Sequence, residues 1–507
     1  MYYTTNMEKR YLLGVDLGTS SIKVSVLDLE TKGILTESAP LSVQYPDSFS
    51  AEQNPDEWWQ NFCALVGKVK EKINPQDIGA IGLSGQMLGL VLMGKNGEPV
   101  RPCLIWCDQR SHAEIKEILE KISLREIVTL TANTPLPGYW LPKVLWLRKH
   151  EPGNLQNTAK FLLPKDFLRF KLTGEYATDV SDASGTLLFD VAKRKWSERI
   201  AELFLVNESL LPEAVESTAV TGVVTQKAFL ETGLPKGIPV VGGGGDQSSG
   251  GIGLGIIRSS AMACVLGTSG VVLAKTDDVK LDFENRGLHS FCYSIPGKWF
   301  LMGCTLAAGG SFNWIRNALR TVNPRIDFSD LINLAQTVAS GSDGLLFLPY
   351  LIGERTPHSD PLARGVFVGL SYKHTVSHLA RAVIEGVAFS QKDSVEVLRS
   401  FSLNATRLIA SGGAARSPLW CQILADVTGI SVQTTNIEDP ASVGAALIAG
   451  IGTGYLASFE EACSQFIRPL QEFEPDSKET LKYQEIYQVY KDTYQRLKDI
   501  FPRLRQT

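Results

Sequence analysis

Apolar and polar residues alternate first between Tyr11 and Asp28, where two apolar runs flank Gly18-Thr19-Ser20. In the second run Ile22, Val24 and Val26 take alternate positions, and this period of two predicts a β-hairpin. A second turn ending at Gly33 leads into a third strand. Asp56 to Lys70, just behind Pro55, places its apolar residues at helical spacing, and Ile78 to Leu83 is a short buried strand. Hairpin, helix and returning strand together predict an α/β fold.

Further along, helices are predicted over Ser111 to Ile122, Pro142 to His150 and Pro164 to Thr173. The strand Ile238 to Val241 runs into four glycines. Another strand, Ala261 to Leu266, ends in Gly267-Thr268-Ser269-Gly270. Leu-Gly-Thr-Ser therefore occurs twice, at 17–20 and 266–269, each time between two apolar strands. That repetition predicts two related halves. The second half continues with a long helix over Thr375 to Leu398 and a strand, Leu408 to Ala410, that breaks at Ser411-Gly412-Gly413. Helices follow over Pro418 to Thr428, over the small-residue run Ser442 to Gly450, and over the polar stretch Glu479 to Ile500. The boundary is expected near Gly253, giving domains over 10–253 and 254–507 with a ligand cleft between them.

Composition narrows the function classes. The chain has 507 residues, 44% hydrophobic and 21% charged, with a formal net charge of −4. Nothing in it favours nucleic acid, which calls for a basic face. The polar start, Met1 to Arg10, and the lack of any run of about 18 apolar residues argue against secretion and membrane spanning. Eight scattered cysteines without zinc spacing read as reduced thiols of a cytoplasmic protein.

Three glycine-hydroxyl turns end apolar strands: Gly18-Thr19-Ser20, Gly267-Thr268-Ser269-Gly270, and Gly412-Gly413 with Ser417. Glycine lets backbone N–H groups approach phosphate oxygens. The P-loop pattern, Gly-x-Gly-x-x-Gly and Gly-x-Ser-x-Gly are all absent. Asp246 follows the four glycines and could take a proton from an attacking hydroxyl, or simply bond within a turn. Asp16, inside an apolar strand, calls for a partner, either a hydrated Mg²⁺ or a structural hydrogen bond. Trp106, Asp108, Gln109 and Arg110 combine an aromatic face with polar groups suited to a sugar, a composition also met at ordinary helix starts.

With these residues in view, the chain resembles the FGGY carbohydrate kinases from Leu12 to about Tyr455, and is closest to their xylulokinases. The resemblance rests on Gly14 to Lys23, Leu83-Ser-Gly-Gln-Met87, Leu163-Pro-Lys-Asp166, Thr178 to Thr186, Gly243 to Asp246, Leu266 to Gly270, Gly353-Glu-Arg-Thr-Pro-His358, and Gly412-Gly413 with Ser417 to Trp420. It implies two RNase H-like domains of the actin and hexokinase type around a central cleft. It also implies ATP-dependent phosphorylation of a sugar hydroxyl, D-xylulose to D-xylulose 5-phosphate. The alternative is another pentulose, polyol or related small sugar, and a remote one is a non-catalytic sugar- or nucleotide-binding regulator. By resemblance Asp246 is the general base and Asp16 helps hold Mg²⁺ with ATP. ATP would meet Thr19, Gly267, Thr268, Gly309, Asn313, Gly413 and Ser417, and the sugar Gln86, Met87, Leu88, Trp106, Asp108, Asp246 and Gln247. Xylulokinases commonly read Gly-Gln-Met-His-Gly where this chain has Leu88, and asparagine where it has Gln247. The expected partners are sugar and ATP, with no nucleic acid, no membrane, and a homodimer as the assembly to test.

Overall fold

The computed structural model describes residues 9–504. Its two halves each carry a large mixed sheet. The first contains β1 (Tyr11–Leu17), β2 (Ser21–Asp28), β3 (Ile34–Pro40), β4 (Ile78–Gly85), β5 (Val220–Val223), β6 (Pro239–Val241) and the short β7 (Gly244–Gly245). The strands run in the order β5-β6-β4-β1-β2-β3, and β7 pairs with β4. The second contains β8 (Ala261–Leu266), β9 (Gly270–Thr276), β10 (Leu288–Cys292), β11 (Trp299–Thr305), β12 (Arg407–Ser411), β13 (Ser431–Thr435) and β14 (Pro469–Phe473), in the order β10-β11-β9-β8-β12-β13-β14.

The two sheets share one plan. In the first, β1, β2 and β3 form an antiparallel meander while β4 and then β6 extend it in parallel on the other side of β1. In the second, β8, β9 and β11 form the meander while β12 and then β13 extend it in parallel on the other side of β8. The repeated Leu-Gly-Thr-Ser thus marks the same hairpin in both halves.

Helices are α1 (Pro55–Lys70), α2 (Trp140–His150), α3 (Pro164–Thr173), α4 (Asp246–Gly253), α5 (Gly309–Arg320), α6 (Val376–Ser400), α7 (Pro418–Thr428), α8 (Pro440–Gly452) and α9 (Ser477–Leu497), with shorter ones between. Local rules start and stop them. Asn54 caps α1 by accepting from Asp56 N at 3.0 Å, Pro55 opens it, and Lys68 and Lys70 sit in its last turn.

Small residues let α8 lie flat on the first sheet. A Cβ on Gly14 would stand 1.9 Å from Ser442 O, and one on Gly82 would stand 1.9 Å from Ala445 O. The helix also crosses α4 backbone to backbone, since a Cβ on Gly444 would meet Ser249 O at 1.8 Å. Buried residues of β1 and β4 therefore share a core with Val443, Ala446 and Leu447 of α8, late in the chain.

The strand Ala261–Leu266 and the helices Pro164–Thr173 and Pro418–Thr428 match the sequence reading residue for residue. Elsewhere the bounds shift for identifiable reasons. The helix expected from Ser111 starts at Glu114, because the Ser111 hydroxyl donates to Pro137 O at 2.9 Å and residues 111–113 form turns. The polar C-terminal helix buries a tyrosine stripe, Tyr483, Tyr487, Tyr490 and Tyr494. The glycine-rich segment after β7 is a helix that the sequence reading did not foresee. Glycine disfavours helices by about 1 kcal/mol relative to alanine, but here it permits the tight crossing with α8.

Candidate functional site

Three neighbouring parallel strands of the first sheet end at one level. Leu17 of β1 and Gly245 of β7 both pair with Gly85 of β4. Ligands of open α/β sheets collect outside the carboxyl ends of parallel strands. Asp16, Gln86 and Asp246 stand at these three ends.

Asp246 is the first residue of α4 and is partly exposed. Desolvation by the surrounding protein pushes its carboxyl up to about 6, while hydrogen bonds from the Gln247 backbone and side chain pull the other way. Such a carboxylate is ionised near neutrality and basic enough to accept a proton.

Asp16 lies buried in β1, opposite Lys23 of β2. Burial holds its carboxyl well above the usual range, and repulsion from Asp439 and Asp246 adds to the shift. The Lys23 ammonium and the nearby Ser84 hydroxyl oppose it. Asp16 Oδ1 is buried without any hydrogen-bond partner. Lys23 is itself bridged to Asp439 at 2.5 Å. Asp439 caps α8 by accepting from Ser442 N at 3.3 Å and from the Ser442 hydroxyl. Asp16 and Asp439 thus share one ammonium, with Asp246 close enough to repel Asp16, an imbalance that a divalent cation would correct. Among the described residues no three His, Cys, Asp or Glu side chains converge to hold a metal by themselves. Mg²⁺ takes one or two carboxylates and keeps water and phosphate oxygens as its other ligands, and the unpartnered Asp16 Oδ1 has the chemistry of one such carboxylate ligand.

Gln86 is buried in a ring of polar contacts. Its amide donates to Gln53 Oε1 at 2.6 Å, Gln53 donates to Thr19 O at 2.7 Å, and Thr19 Oγ1 donates to Gln86 Oε1 at 3.2 Å. The exposed Trp106 indole donates to Thr19 Oγ1 at 2.9 Å. Met87 packs beneath Gly245, where a Cβ would lie 2.7 Å from Met87 Cγ. Leu88 takes a left-handed backbone, φ 69°, and its side chain fills the space in front of Gly185, where a Cβ would sit 2.4 Å from Leu88 Cδ2. Lys143 of α2 ties this loop to the segment ahead of Trp106, donating to Leu88 O at 2.9 Å and Ile105 O at 2.9 Å. Burial pulls the Lys143 ammonium down to about 8.

Asp108 does not join this surface. It is fully buried, accepts from Ala51 N at 2.8 Å and pairs with Arg110 at 2.8 Å. Arg110 also reaches Glu52 at 2.6 Å. Its carboxylate anchors the loop that carries Trp106.

The second sheet presents backbone instead. Gly309 N, at the start of α5, donates to Gly267 O at 2.8 Å, and Ala308 N donates to Thr268 O at 2.9 Å. Thr268 and Asn313 are exposed. Gly412, with φ 91°, makes the sharp exit from β12, where a Cβ would lie 2.5 Å from Leu266 O. Gly413 beside it is exposed and faces open space, with nothing within 4 Å of an added Cβ. Ser417 Oγ is buried without a partner. Exposed glycine backbone beside a helix start is a surface suited to phosphate oxygens.

Sequence reasoning missed Asp439, Gln53, Lys23 and Lys143. Asp439-Pro440 did carry a signal, an N-cap residue followed by proline. Gln53 and Lys143 lie in unremarkable sequence and acquire partners only through the fold.

All eight cysteines are free. Among the described residues no helix is long and apolar enough to cross a membrane.

Known proteins resemble this chain over nearly its whole length. The chain is 37% identical over 485 residues to a xylulose kinase of Lactococcus lactis, covering 95% of this chain and 96% of that protein. The crystal structure of a xylulose kinase from Rhodospirillum rubrum superposes with a TM-score of 0.89 at 29% identity, over 97% of this chain and all of that one. A gluconate kinase structure from Lactobacillus acidophilus gives a TM-score of 0.91 at 26% identity, over 97% of this chain and 99% of that one. Residues 11–253 match the N-terminal domain, and residues 262–453 the C-terminal domain, of one family. The chain belongs to the FGGY family of carbohydrate kinases.

Proposed function

We propose that this kinase transfers the γ-phosphoryl group of ATP to a hydroxyl of D-xylulose, giving D-xylulose 5-phosphate. The observation that carries the reading is Asp246, a carboxylate raised to about 6 beside the Gln86 and Asp16 strand ends. In the step, Asp246 accepts the hydroxyl proton. The sugar oxygen bonds to phosphorus as the bond to the β-phosphate oxygen breaks, and ADP leaves. Thr19, Gly267, Thr268, Gly309, Asn313, Gly413 and Ser417 bind ATP in this reading, the last through its unpartnered hydroxyl. Asp16 would hold Mg²⁺, and the cation would supply charge neutralisation on the phosphates. Gln86, Met87, Leu88, Trp106 and Gln247 line the sugar, while Asp108 acts at one remove as the anchor of the Trp106 loop. We divide the chain after Gly253, with α8 returning to the first sheet. The free thiols support a cytoplasmic setting.

One observation favours a second reading, a different small acceptor. Leu88 presents an apolar branch at the sugar loop, and one structural relative is named a gluconate kinase. Initial rates with D-xylulose, a second pentulose, gluconate and a polyol separate the two. The highest kcat/KM with D-xylulose supports the first reading, and a higher value with another acceptor supports the second. No turnover of any acceptor contradicts both.

A further inference from the structure

Two motifs singled out in the sequence, Leu163 to Asp166 and Thr178 to Thr186, hold no part in the reaction described above. The fold joins them into one buried ion cluster. Lys165 Nζ lies 2.6 Å from Asp166, 3.0 Å from Asp179 and 3.6 Å from Asp182, and Arg169 lies 2.8 Å from Asp166. All five side chains are essentially without solvent exposure. Three carboxylates and two cations taken out of water contribute little net stability, because desolvation offsets most of their attraction. The geometry points instead toward the neighbouring site.

Asp179 Oδ2 is the hub. It accepts from the Ser181 hydroxyl at 2.6 Å, from Ser181 N at 2.8 Å and from the Ser217 hydroxyl at 2.7 Å. With its proton committed to Asp179, Ser181 Oγ offers a lone pair, and Gly245 N donates to it at 3.1 Å. Gly245 is the residue before Asp246, and its pairing with Gly85 sets the level at which Asp246 leaves the sheet. Glycine is required beside this contact: a Cβ on Gly244 would lie 3.3 Å from Ser181 Oγ and 2.5 Å from Ser294 Oγ. The line Lys165–Asp179–Ser181–Gly245 therefore runs from a buried charge to the backbone that carries Asp246.

We propose that Ser181, held by Asp179 and Lys165, is a positioning residue that fixes the Asp246 carboxylate through the Gly245 N–H. The inference rests on Asp246 being the general base. A displacement of the order of an ångström in a reacting group can cost about 10²-fold in rate. Ser181→Ala removes the oxygen that anchors Gly245. Asp179→Asn keeps the side-chain shape and weakens the hold on Ser181, and also on Ser217, whose carbonyl accepts from Gly243 N at 2.9 Å.

The test is a double-mutant cycle on the full chain with ATP, Mg²⁺ and the best acceptor from the panel, comparing each variant in the wild-type and the Asp246→Asn backgrounds. Ser181→Ala is expected to lower kcat by about 10- to 100-fold in the wild-type background, with KM for ATP within about twofold. In the Asp246→Asn background it is expected to cost nothing further, because the group it positions is already inert. Asp179→Asn is expected to repeat the pattern and keeps the test open if the alanine variant does not fold. Equal fold losses in both backgrounds, or no loss in the wild-type background, overturn the positioning role while leaving the base assignment intact. Near wild-type turnover by Asp246→Asn itself overturns the base assignment and this proposal with it.

Discussion

Lys23 and Asp439 stand 416 positions apart in the chain and meet at 2.5 Å. The contact pins the first hairpin to the N-terminus of α8 beside the orphaned oxygen of Asp16. Asp439 therefore does two jobs, as helix cap and as counter-charge.

Asp439→Ala removes both. Loss of an aspartate N-cap costs about 0.5–2 kcal/mol. The expected outcome in urea denaturation is a lower midpoint with an unchanged slope, the product of slope and midpoint shift falling in that range. Removing one of the like charges that raise Asp16 also lets the Asp16 carboxyl fall toward its usual range.

The nucleotide surface is tested at two adjacent glycines with opposite expected results. Gly413 faces open space, so Gly413→Val is expected to fold and to weaken ATP binding, with sugar binding kept. Gly412 has φ 91° and abuts Leu266 O, so Gly412→Val is expected to destabilise the fold. Calorimetric titration of ATP into Gly413→Val, alongside thermal melts of both variants, checks the pair. Unchanged ATP affinity in folded Gly413→Val would remove this turn from the site.

Leu88 bears on which sugar is used. Histidine at this position can hydrogen-bond a hydroxyl that leucine leaves unpaired, a difference of about 1–3 kcal/mol. Leu88→His is expected to raise kcat/KM for D-xylulose more than for the other acceptors, by roughly 5- to 150-fold at most. A fall in D-xylulose activity would show that leucine is fitted to a different sugar.

Much of this was legible along the chain because short-range rules decided it. The period of two in β2, the proline at the start of α1 and the paired Leu-Gly-Thr-Ser turns each express local backbone chemistry. Asp16 and Asp246 stood out because a charge in an apolar strand, or behind four glycines, has few cheap explanations. What was hidden depends on contacts distant in sequence. The helix of α4 has poor local propensity and is stabilised by packing against α8, nearly 200 positions later. Asp108 read as a sugar contact from its neighbours, yet it turns inward to Ala51 N and to its neighbour Arg110, which is held by Glu52, and the fold alone brings residues 51 and 52 near. The ring of Thr19, Gln53 and Gln86 could not be read at all, since three separate segments supply it.

The raised carboxyl of Asp246 has two pH signatures. Activity requires the ionised form, so log kcat/KM is expected to fall with slope one as pH drops below about 6. For stability the sign is the reverse. The folded protein holds this proton up to about 6 and the unfolded chain only to about 3.8, so the contribution is present at low pH and lost as pH rises through about 6. Asp246→Asn is therefore expected to gain stability relative to wild type between about pH 4 and 6, reaching a plateau above it. Denaturant midpoints across that range check this.

The most direct measurement is the steady-state rate of Asp246→Asn near pH 8 with saturating ATP, Mg²⁺ and D-xylulose. The substitution keeps the shape of the side chain and removes its basicity. A general base contributes about 10²–10⁴-fold. The account predicts a fall in kcat of that order with KM for ATP little changed, whereas turnover close to wild type would contradict it.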